Sequence, residues 1–132
     1  MEAMQANQGG LKAPMRVVTG RWLAAAGAVM AALAVGLAAY ASHGAEGEAQ
    51  ARLQSAALFL FGHGVALAAL APLAAGRPWR VLALAGLLLG TVLFSGSLVM
   101  NVLHQWPTAL APMGGTLMMA GWLAWAVAAV RQ

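Results

Sequence analysis

Apolar and polar residues alternate in long blocks: four apolar runs, Trp22–Ala41, Ser55–Ala75, Val81–Leu103 and Thr108–Val130, are separated by short polar or basic stretches. Each is long enough, at about 1.5 Å per residue, for a helix to cross a hydrocarbon core of about 30 Å. The pattern predicts an all-α membrane domain over 21–132, a four-helix bundle running up-down-up-down with spans at about 22–42, 53–75, 80–103 and 108–130. The central run, VLALAGLLLGTVLFSGSLVMNVL, carries Thr91, Ser95 and Ser97 in its middle. Hydroxyls are costly against lipid and cheap against another helix, so this span is expected where helices meet. Residues 1–20 are polar, include a Gly pair and a Pro, and lack a helical stripe. They predict a flexible cytoplasmic tail.

Composition sharpens this reading. The chain is 62% hydrophobic and 8% charged, against roughly 25% charged in a soluble globular protein. With no cysteine, it has no disulfide, thiolate metal site or cysteine nucleophile. The net charge of +4 does not predict nucleic-acid binding, because the basic residues sit singly at span ends and form no patch. They read instead as topology signals. Lys12, Arg16, Arg21, Arg77, Arg80 and Arg131 fall on one side and Arg52 alone on the other, which predicts both termini in the cytoplasm. Trp22, Trp79 and Trp106 lie at span boundaries, at headgroup depth. Trp122 and Trp125 lie deeper and read as lipid-facing or packing bulk. The first run resembles a secretory signal ending in Ala39-Tyr40-Ala41, but its apolar part exceeds the roughly 7–15 residues of a signal h-region; it is expected to stay as a span.

Helices in lipid are held by close approach of small residues and by a few interhelical hydrogen bonds. Ala24, Ala28, Ala32 and Gly36 at steps of four, and Gly62, Gly64, Gly86, Gly90 and Gly96, are the expected packing positions. His63 lies about ten residues from the outer end of span two, roughly 15 Å deep. The same depth reaches Thr91–Ser95 on span three and falls near Thr116 on span four. His63, Thr91, Ser95, Ser97 and Thr116 are thus expected to form an intramembrane polar seam, below an outer rim of Tyr40, His43, Asn101 and His104.

An ionisable residue inside a span usually needs a partner or water. His63 could donate a ring N–H to Ser95 or Ser97 and lock two helices, or serve as a proton relay or axial haem ligand. A bis-histidine haem is disfavoured, since His43 and His104 lie about 15 Å higher. No metal-ligand motif is present, and Ser95 lacks both the GxSxG context and an intramembrane Asp. The apolar runs hold no Asp, Glu, Lys or Arg, which weighs against a proton-driven carrier. Neither a catalytic set nor a cofactor is expected. Pro112 reads as a helix start.

Several fragments resemble the YgdD and YwdK type of small bacterial membrane proteins, the domain-of-unknown-function 423 family, related to a small eukaryotic transmembrane protein. They are Ala41-Ser42-His43-Gly44, His63 in HGVALAAL, Leu93-Phe94-Ser95-Gly96-Ser97-Leu98, Ala111-Pro112-Met113-Gly114-Gly115 and Ala120-Gly121-Trp122. Together they cover about Trp22 to Val130. The chain departs in its longer amino tail and in Tyr40-Ala41-Ser42, where that family often has Phe-Gly-Ala. The resemblance implies a four-span inner-membrane protein and brings no established activity.

The expected function is therefore non-enzymatic. The leading expectation is an accessory or assembly component that meets the lipid bilayer and either a membrane-protein partner or further copies of itself. The alternatives are a small carrier or channel for a neutral or weakly polar solute along His63, Ser95 and Ser97, and a haem or quinone redox subunit.

Overall fold

The computed structural model describes the backbone of residues 2–131 and the side-chain surroundings of Met15 and of residues 18–131. Four helices follow one another: α1 (Glu2–Gly44), α2 (Gly47–Ala74), α3 (Pro78–His104) and α4 (Leu110–Val130). Over Val18–Gly44, Gly47–Ala74, Pro78–His104 and Leu110–Val130 they are long and apolar enough to cross a membrane. Short connections leave each helix no choice but to run antiparallel to the one before. The chain is an all-α, multi-pass membrane protein with an up-down-up-down bundle.

Sequence spacing explains which sides are buried. Buried positions recur at steps of three, four or seven: Gly20, Leu23, Gly27, Met30 and Ala34 on α1; Leu53, Ala57, Gly64, Leu67, Ala71 and Ala74 on α2; Ala111, Gly114, Met118 and Gly121 on α4. This spacing keeps one seam facing a neighbour over many turns. The opposite faces carry exposed Leu33, Val35, Leu58 and Leu123, where lipid replaces protein as the apolar solvent. α3 is the most enclosed span, 39% buried against 17% for α4, because it packs on both α2 and α4. α1 packs on α2 and touches α3 only lightly. Among the described residues, α4 makes no close backbone approach to α1 or α2, so the bundle is open on that side.

Two crossings are tight. A Cβ on Gly27 would lie 2.5 Å from the Gly64 oxygen, and one on Gly64 would lie 2.7 Å from the Gly27 oxygen. The same reciprocity joins Gly90 to the Gly114 oxygen at 2.7 Å and Gly114 to the Gly90 oxygen at 2.6 Å. Only a residue without a side chain permits such approach.

These contacts correct the expected packing set. Gly64 and Gly90 belong to it, and Gly86 makes only ordinary contact, 3.8 Å from the Gly121 Cα. Gly36, Gly62 and Gly96 have nothing within 4 Å of a built Cβ, while Ala28 and Ala32 are exposed. α1 turns the stripe through Leu23, Gly27 and Met30 inward instead, since that stripe brings large apolar side chains and a glycine to α2 together.

The segment expected as a tail without helix is also corrected: its backbone from Glu2 to Gly20 continues α1. Many of its residues are good helix formers, and a span that is already helical supplies the costly nucleus. Met1, and the side chains of Lys12 and Arg16, lie outside the described residues. Residues 42–54, which join spans one and two, are mostly helix as well, with α2 beginning about where the good helix formers do. α2 starts at Gly47, whose φ of 60° turns the chain, and Arg52 and Glu48 pair at 3.4 Å one turn apart. At the other end, Gly76 with φ 75° and extended Arg77 lead into Pro78 at the start of α3. Pro112 sits in the first turn of α4, where its missing N–H leaves no intrahelical bond unmade.

Candidate functional site

The expected seam divides into a buried hydroxyl group and a separate aromatic cluster. Thr91, Ser95 and Ser97 are 0%, 3% and 7% exposed. Thr91 Oγ1 donates to the Leu87 carbonyl one turn back at 2.7 Å. Ser95 Oγ donates across the interface to the Ala56 carbonyl of α2 at 2.9 Å, which fastens the two hairpins together. Ser97 Oγ is buried without a hydrogen-bond partner. Thr116 is exposed and turned back to the Pro112 carbonyl at 2.9 Å, so it does not join the buried three.

His63 does not meet Ser95 or Ser97. Gly64, the next residue, must face α1 at the tight crossing, and one step along a helix rotates the side chain by roughly 100°. That rotation carries His63 towards α4. Its Nδ1 donates to the Phe59 carbonyl at 2.8 Å. Its Nε2 accepts from Trp122 Nε1 at 3.1 Å. A carbonyl can only accept and an indole N–H can only donate, so the pair of bonds selects the neutral imidazole with its proton on Nδ1. The ring stacks on Phe59 at 5.9 Å and meets Trp122 at 6.0 Å, while Phe59 meets Phe94 at 4.7 Å. His63 and Trp122 thus bridge α2 and α4, which make no close backbone contact. With both ring nitrogens engaged, this arrangement leaves His63 no free nitrogen for a metal or haem iron. The clue in the sequence was the Trp122 indole, whose N–H needs an acceptor when it is drawn from water.

The expected outer rim is only partly assembled. Asn101 accepts from Arg52 Nη1 and donates to the Trp106 carbonyl at 2.7 Å, tying α2 to the α3–α4 connection. Gln105, with φ 57°, closes α3 there. His104 lies against Trp106 with ring centroids 6.0 Å apart. Tyr40 packs on Gly44 instead, where a Cβ would lie 2.7 Å from its ring, and His43 is exposed. Tyr40 and His43 join neither Asn101 nor His104, because α1 barely touches α3. Among the described residues no three His, Asp or Glu side chains converge as a metal site.

Cavities flank α3 at both of its ends. One of about 420 Å³ lies on the Arg52 side, lined by Arg52, Phe94, Thr108, Pro112 and Thr116 among others. The other, about 750 Å³, lies at the opposite end beside the α2–α3 turn and the last turns of α4. There Arg80, read from the sequence as a turn cation, is only 7% exposed. Its Nη1 donates to the Leu73 carbonyl at 3.1 Å, and its guanidinium lies 5.4 Å from the Trp125 ring centre. Trp125 thus packs against the buried core, as one of its two expected roles had it, and also supports a cation.

The family described as "Protein of unknown function (DUF423)" matches residues 37–115. No curated protein and no solved structure matches the chain. The match takes in the end of α1, all of α2 and α3 and the start of α4, and with them Gly64, Gly90, Ser95 and Gly114. Covering more than half of the sequence, it shows that this four-span membrane protein belongs to the DUF423 family.

Proposed function

We propose that the protein is a non-enzymatic component of a membrane assembly, seated in a bacterial inner membrane with both termini in the cytoplasm. It acts by docking its transmembrane helices against another membrane protein or a second copy of itself. The observation that carries this reading is the outward ridge of Ala28, Ala32 and Gly36, which α2 does not use. In lipid, a ridge of small residues is where a further helix backbone can come close. The cytoplasmic assignment of the termini rests on the excess of Lys and Arg at the Arg77 and Arg131 side of the spans, which resists translocation.

Absence of native cysteine makes the test direct. Cysteine placed at Ala32 or Gly36 should crosslink in native membranes, to a second copy or to a partner, well above cysteine at lipid-facing Leu89. Equal crosslinking at the three positions, with a partnerless monomer in mild detergent, overturns the proposal. A periplasm-dependent reporter fused after Gln132 should stay silent, and activity there reverses the orientation. The carrier reading has less support, because the lining of neither cavity includes His63, Ser95 or Ser97.

A further inference from the structure

The roughly 750 Å³ cavity at the α2–α3 turn falls within the ~300–1,000 Å³ of small-molecule sites, and its lining has two chemically different parts. Arg77, Arg80 and Arg131 are all among its lining residues. The described acidic residues, Glu46 and Glu48, sit at the other end of α2, roughly 40 Å away along the helix. Among the described residues, no Asp or Glu lines the cavity. The remaining wall is apolar, with Leu82, Leu123 and Val127 all half or more exposed. The site lies where α2 ends, α3 begins and α4 ends, at one edge of the apolar spans. Trp79, 74% exposed, marks the same level, as interfacial indoles do.

We propose that this cavity holds one anionic phospholipid of the adjacent leaflet, with its phosphodiester among the three arginines and its acyl chains along α3 and α4. A free phosphate would satisfy the cations and leave Leu82, Leu123 and Val127 uncovered. A zwitterionic lipid would cover the wall and bring a cation against cations. An anionic amphiphile meets both requirements. Arg80 is held ready for the role. Its stem is buried and its plane rests near Trp125, and among the described residues one of its five N–H donors is engaged in a hydrogen bond, to the Leu73 carbonyl. The planar fork suits the oxygens of a phosphodiester. The start of α3 adds the positive end of its helix dipole.

The test uses the full chain purified in mild detergent, with native mass spectrometry after addition of dioleoyl-phosphatidylglycerol or dioleoyl-phosphatidylcholine at equal concentration. Phosphatidylglycerol adducts should predominate. A basic residue near the surface is worth on the order of fivefold in anionic-lipid affinity. The double variant R77Q/R131Q should therefore lower the preference by about an order of magnitude or more, while R52Q at the far end leaves it unchanged. If R77Q disturbs the turn, R131Q alone must still lower it by roughly fivefold. Equal retention of the two lipids, or a preference that survives the arginine variants, overturns the proposal. So does inorganic phosphate binding to the arginines and blocking no lipid, which would mark a soluble-anion site only. Crosslinking at Ala32 does not enter this test, so the lipid site and the assembly role stand or fall separately.

Discussion

Replacing Gly27 by alanine tests the feature on which the first hairpin depends. The added methyl carbon would lie 2.5 Å from the Gly64 oxygen, 2.6 Å from the Ala68 nitrogen and 2.8 Å from the Leu67 Cβ. Two of these atoms belong to the backbone of α2 and cannot swing aside. Restoring an ordinary contact of about 3.4 Å requires the helices to part by about 0.9 Å. A radial gap of about 0.5–1 Å forfeits roughly a quarter to a half of each neighbouring dispersion contact. Leu23, Met30, Leu67 and Ala71, which share the packed core, would all feel it. Overpacking of this kind costs about 1–3 kcal/mol, and removing a helical glycine returns about 0.5–1 kcal/mol. The expected net loss is about 1–2 kcal/mol. The control is Gly36→Ala on the same helix, where a Cβ meets nothing within 4 Å and only the gain applies. Unfolding of both variants and the parent in mixed micelles, followed by tryptophan fluorescence and circular dichroism, gives the comparison. If G27A unfolds at the same denaturant fraction as G36A, the tight α1–α2 crossing is wrong.

Three further outcomes follow from polar groups within the spans. Ser97→Ala should be neutral or stabilising by up to about 1 kcal/mol, since it removes a buried hydroxyl that has no partner; a clear loss in the same unfolding assay would reveal an unseen bond. Ser95→Ala should cost about 0.6–1.5 kcal/mol for the bond to Ala56, and Ser95→Leu more, because the larger side chain must also push α3 from α2. Equal stability of S95L and the parent would contradict that contact. Trp122→Phe should cost under about 1 kcal/mol yet leave His63 Nε2 without its donor. Nitrogen NMR should then show the Nδ1-protonated tautomer well defined in the parent and blurred in W122F. A mixed tautomer already in the parent would refute the bridge.

Much of the architecture is legible in the sequence alone. Run length and the scarcity of charge determined four spans, because a helix must be about twenty apolar residues long to cross the hydrocarbon core. Short connections then determined their antiparallel order. The hydroxyls in the middle of α3 marked it as the span enclosed by others, and its contacts with both α2 and α4 agree. The same composition hid the rotation of each helix. In a chain with 16 glycines and many alanines, small residues lie on every face, and hydropathy does not distinguish lipid from protein as surroundings. Choosing Gly27 over Gly36 required the partner's backbone, as did pairing Gly90 with Gly114. That rotation also decided the polar groups: with Gly64 turned to α1, His63 could only swing towards Trp122. Arg80 shows the same limit at the membrane edge. Its sequence position gave a turn cation, but only the packing of α2 and α4 around it supplied the Leu73 carbonyl and the Trp125 ring. Compatibility with a hydrocarbon core is a property of each residue type and can be read from the sequence. Which face meets another helix is a property of two surfaces together, so the tertiary structure had to decide it.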